Sequence, residues 1–310
     1  MTTTGTNDFT MTAAEIVEAA MRKLGALHTG ATPTAAEYVD GIEALNLLLK
    51  QLMGPPNAMF PSLKKWKLKY LTLDLTATPE YSLSLKRLAF TSGGTTAIAV
   101  GDTITGATSA ATAKVMSVEL SSGTWAAGTA AGEFLIESQS GTFESENLDV
   151  GASTNLATIA ANSTQYGPPV RIIEAMLRNS DGEDSPMTEM NLAEYMAISD
   201  KDATGTPSKF YFEGRVDSFR LFLDCTPPDT TDNVFMAVQM PIEDVDSTTD
   251  HIDAPRQYFR PLIYLLAQEL ALEFERPISA DLKMLTAQSV ALAQTFEPED
   301  VTVFFEPNKD

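Results

Sequence analysis

The tetrapeptide TAAE occurs twice, at Thr12–Glu15 and Thr34–Glu37, each time just before a run of helically spaced apolar residues. Both copies fit a capping box. The threonine hydroxyl accepts from the backbone N–H three residues on, and the glutamate reaches back to the threonine N–H. Ile16, Val17, Ala20, Met21 and Leu24 line one stripe; Tyr38, Ile42, Leu45, Leu48, Leu49 and Leu52 line another. Gly25 and Gly30 lie near the first stop, and Pro33 stands before the second start. The spacing predicts a helical hairpin over residues 12–52.

The rest of the chain reads in blocks. After a Pro-rich turn, KKWKLKYLTLDL alternates, with Trp66, Leu68 and Tyr70 on one side and Lys65, Lys67, Lys69 and Leu71 on the other. This predicts a half-buried strand with a Lys-bearing face, paired to a strand after TATPE. The basic cluster Lys64, Lys65, Lys67 and Lys69 has two readings: protection of a sheet edge, or contact with an acidic neighbouring subunit. From about Ala89 to Gln165 the chain is rich in Thr, Ser, Ala and Gly, and Lys114 is its one basic residue. Strands are expected at Ala113–Leu120 and Gly132–Ser138. VGDTITGATS is weakly echoed in FESENLDVGAS. A small antiparallel β module, inserted as a unit with its ends close together, fits this block.

The first composition returns at YGPPVRIIEAML. Strands are expected at Val170–Leu177, Lys209–Glu213, Ser218–Asp224 and Asn233–Met240, with a short amphipathic helix at Thr188–Ser199. Two more helices follow, capped by Asp253 and Ser279. The pattern as a whole predicts an α+β fold. Its parts are a helical bundle of the N-terminal hairpin plus two C-terminal helices, an antiparallel or mixed β-sheet domain, and the inserted small all-β module. The expected divisions are an arm at 1–9, a discontinuous core at 10–88 and 166–296, the insert at 89–165, and an arm at 297–310.

The chemistry expected from these residues is not enzymatic. Cys225 has no base beside it, and no GxSxG or GK[ST] loop occurs. His28 and His251 lack ligands at metal spacing, so neither a cofactor nor a metal is expected. The formal net charge of −21 repels phosphate backbones and anionic membranes. It serves solubility, or a surface that DNA must pass without being held. No run of apolar residues is long enough to span a membrane, and MTTTGTNDF has no secretory pattern.

Three segments carry a resemblance: AAEIVEAAMRKLGAL with PTAAEYVDGIEALNLLLKQL, then GTPSKFYFE with FRLFLDCTPP, then YFRPLIYLLAQELALEFE. In this order they resemble the head-to-tail adaptor proteins of short-tailed bacteriophages, over residues 10–88 and 166–296. The resemblance implies a virion structural protein in the tail or neck, assembled in the host cytoplasm. It would form a homo-oligomeric ring, a dodecamer, docked on the portal protein above and the tail nozzle or tube protein below, and DNA would pass through without sequence-specific binding. Another neck or tail-completion protein, or an adhesin binding glycans through the β module, is the alternative. In the tail, Val301, Val303, Phe304 and Phe305 form an apolar segment with nothing local to pair with. Either it is an unstructured tail, or it adds a strand to a neighbour's sheet or wedges into the portal.

Overall fold

A computed structural model describes residues 9–53, 67–228 and 231–295. The chain divides into two compact units. One comprises residues 1–67 with 242–310; the other is Leu68–Pro241.

The first unit holds α1 (Ala13–Leu24), α2 (Ala35–Leu52), α4 (Phe259–Glu273) and α5 (Ala280–Gln294). Both expected capping boxes form: the Glu15 amide donates to Thr12 and the Thr12 amide to Glu15, with the same exchange between Thr34 and Glu37. Gly25, at φ 79°, ends α1 in a left-handed turn that costs glycine little. A Cβ on Gly41 would lie 2.5 Å from a Val17 methyl, so glycine there lets α2 approach α1 closely. Ile16, Met21, Leu45, Leu49, Leu266 and Leu270 meet in one apolar cluster, which draws on all four helices. Burying each such side chain contributes roughly 1.5–3 kcal/mol. Asp253 does not cap a helix as expected; a 3-10 turn at Arg256–Tyr258 leads into α4 instead.

The second unit is β-rich. One sheet has the order β1-β14-β10-β11-β12-β13-β2: β1 (Leu68–Asp74), β14 (Asn233–Gln239), β10 (Arg171–Arg178), β11 (Asp184–Glu189), β12 (Lys209–Gly214), β13 (Phe219–Leu223) and β2 (Glu80–Leu83). Neighbours are antiparallel except β11 and β12. The strand after TATPE pairs with β13, while β1 pairs with β14. The expected helix at Thr188–Ser199 shrinks to α3 (Leu192–Met196), because β11 carries Thr188 and Glu189 into the sheet.

The second sheet contains β3 (Lys86–Gly93), β4 (Thr103–Gly106), β5 (Thr112–Ser122), β6 (Ala131–Ser140), β7 (Glu146–Val150), β8 (Ser153–Ile159) and β9 (Thr164–Gln165). Its order is β6-β5-β4-β7-β8-β3-β9, and β6 also pairs with β3. That pairing closes six strands into a barrel, with β9 added outside. Closure removes the open edges at which sheets recruit other chains. Phe90, Val115, Phe134, Ile136, Phe143 and Leu148 fill the interior. The echoed segments become β4 and β7, which are hydrogen-bonded neighbours. Lys86 pairs with Gln165 and the Tyr166 amide donates to Leu85, so the chain enters and leaves the barrel on adjacent strands.

This architecture corrects the expected α+β bundle with a small all-β insert. The protein is mostly β: two seven-stranded sheets, with five short helices among the described residues. The all-β module is as rich in strands as the sheet beside it. Its strands are built from Thr, Ser, Ala and Gly, whose weak contrast between faces hides the period of two. The helical stripes of Leu and Ile carry a much sharper period.

Candidate interaction site

β1 is the basic strand singled out by sequence, and its faces decide how its lysines are used. Leu71 and Leu73 are buried while Tyr70 is 57% exposed and stacks on Phe235. The inward face is therefore the one that also carries Lys67 and Lys69. Burying cations beside leucines requires counter-charges. Lys67 forms ion pairs with Asp253 and, at 3.7 Å, with Glu243. Lys69 pairs with Glu119 on β5. Both ammonium groups are thus engaged within the chain. Lys64 and Lys65 lie outside the described residues, as do Val301, Val303, Phe304 and Phe305.

Within the second unit, β1 lies against the outer wall of the barrel. Leu71 and Leu73 share an apolar cluster with Met116 of β5 and Leu135 of β6. Beyond one end of this contact is the Lys69–Glu119 pair, and beyond the other is a pair between Asp74 and Lys114. The signs are exchanged between the two ends. Alternation along β5 puts Met116 on the face toward the sheet and Val115 in the barrel core; the register shift between Val115 and Ser117 then changes the phase, so that Glu119 as well as Lys114 reaches a partner on β1. Glu119 stands opposite Glu133 across β5 and β6, and each has its own cation, Lys69 and Arg87; Arg87 lies 3.1 Å from Glu133 and stacks 4.3 Å from the Tyr166 ring.

A third carboxylate sits beside the Asp74–Lys114 pair. Glu137 is the register partner of Lys114 and is buried, with Ser138 Oγ donating to it. Burial pushes its carboxyl up from the ordinary range and Asp74 adds to this, against the opposing pull of Ser138 and Lys114. Sequence reasoning missed this cluster. The signal that could have found it is a glutamate directly after the apolar run Phe134–Leu135–Ile136.

Compared with known proteins, the chain matches no protein-family model and no curated protein.

The remaining polar chemistry is mostly turn and cap work. In the acidic loop before α4, Asp250 accepts the amides of Asp246 and Ser247, and its carbonyl accepts the Ala13 amide at the start of α1. Among the described residues no three His, Cys, Asp or Glu side chains gather as a metal site. The Cys225 thiol donates to the Gly205 carbonyl; burial and the adjacent Asp224 push it up to about 11. In the barrel, Phe143 is buried and Trp125 stacks on Phe90 at 5.2 Å. Among the described residues no helix is long and apolar enough to cross a membrane.

Proposed function

We propose that this chain is a non-enzymatic structural subunit of a bacteriophage virion. It is a head-to-tail adaptor, assembled in the host cytoplasm, that docks as a homo-oligomeric ring between portal and tail and forms part of the DNA conduit. The observation that carries the reading is how the three resembling segments fold. Helices α1, α2 and α4, far apart in sequence, meet in one apolar cluster, and KFYFE with FRLFL forms the single hairpin β12–β13.

The test is co-sedimentation of the purified chain with rings of its cognate portal protein, followed by negative-stain imaging. The expected result is a new collar of density on the portal ring. A chain that is folded by circular dichroism yet stays in the supernatant overturns the reading and directs attention to a neck or adhesive role.

A further inference from the structure

The contact between barrel and sheet has an apolar centre, two charge-exchanged ion pairs at its ends, and one carboxylate too many. Asp74 of β1 and Glu137 of β6 face a single ammonium, Lys114 of β5. The other charged groups around the contact are already matched: Lys69 with Glu119, and Arg87 with Glu133. Glu137 is 7% exposed, so water does little for its charge, and the Ser138 hydroxyl donates to it. An ionised carboxylate buried beside a second carboxylate is costly, and the cheapest relief is a proton.

We propose that the seating of the barrel on the sheet is proton-linked, with Glu137 taking up a proton from solvent as the barrel docks. The Asp74–Lys114 pair then stands as a neutral bridge, and the protonated Glu137 fills its buried place without charge. The device is independent of the function proposed above.

The sign follows from linkage. A carboxyl raised in the folded state above its ordinary 4.5 weakens the fold when ionised. That penalty is full above the folded-state value and fades as pH falls through it toward 4.5. Acidification from neutral therefore strengthens the seat.

The experiment is calorimetric unfolding of the full chain from pH 8 to 5 at fixed ionic strength, for wild type, Glu137→Gln and Asp74→Asn. Wild type is expected to gain stability on acidification more steeply than Glu137→Gln. The two curves separate at pH 8, with Glu137→Gln higher, and converge on acidification. Asp74→Asn, which leaves Lys114 to Glu137 alone, is expected to lose part of the steepness too. Parallel curves for wild type and Glu137→Gln overturn the proposal. A carbon-13 titration of the Glu137 carboxyl in the wild-type chain checks it without any variant: a midpoint above 4.5 supports the proton link, and one at or below 4.5 refutes it.

Discussion

The Tyr38 hydroxyl of α2 donates to the Glu18 carboxylate of α1 across 2.5 Å, while Arg22 holds the same carboxylate at 2.7 Å. The hydrogen bond to Glu18, with burial and the nearby negative charge, pushes the Tyr38 phenol up to about 12. Tyr38→Phe is expected to cost about 1–2 kcal/mol in urea unfolding, toward the lower end for a hydrogen bond to a charged group because Arg22 still holds Glu18. The stabilisation is complete below the ordinary phenol value of 10 and disappears as pH rises through about 12. The variant should not show that alkaline loss.

Glu146, at the start of β7, is buried and accepts from the Thr108 and Ser109 amides, the Ser109 hydroxyl and the Glu144 amide. Burial alone would raise its carboxyl, but these donors together outweigh it and bring it down to about 2. Glu146→Ala strands four donors and is expected to destabilise the barrel by roughly 2–3 kcal/mol in chemical denaturation. The carboxylate's contribution is present above 4.5 and is lost as pH falls through about 2. Acid unfolding of Glu146→Ala should lack that component.

Gly132 lies where β6 crosses close to β5. A Cβ built there meets the Glu119 carbonyl oxygen at 1.9 Å. Gly132→Ala must push the strands apart, at about 3 kcal/mol. Thermal unfolding of the variant should show the loss, and a variant as stable as wild type would contradict the close approach.

Cys225 is expected to react slowly with a disulfide reagent at neutral pH. A thiol at about 11 carries roughly a hundredfold less thiolate than one at the ordinary 9.0. Its labelling rate should climb with pH up to about 11 and reach the rate of an ordinary thiol in urea. Fast labelling of the folded chain at pH 7 would contradict the buried, hydrogen-bonded thiol.

Helices were legible where side chain and cap agreed. Thr12, Thr34 and Ser279 cap the helices that their spacing predicts. Strands such as β1, β5, β6 and β10 were legible as segments but not as partners, while β3, β4, β7, β8 and β11 were not marked as strands at all. The alternation around Tyr70 revealed β1, yet pairing with β14 joins residues far apart in sequence, and nothing local specifies it. The inward face of β1 was equally hidden, because it mixes Leu71 and Leu73 with lysines whose carboxylate partners lie elsewhere in the chain. The same non-locality concealed Glu137: its neighbours in sequence mark a strand, but Asp74 and Lys114 make it a site.

The rung between Leu85 and Tyr166, where the amide of one meets the carbonyl of the other at 3.1 Å, makes the barrel a detachable cassette. A genetic event that gained or lost residues 86–165 would rejoin backbone already in register. What it would leave bare is Leu71, Leu73 and two unmatched charges, Lys69 and Asp74. The host sheet is therefore permissive at the splice and demanding at the seat, and any replacement module must bring its own apolar patch flanked by one acid and one base.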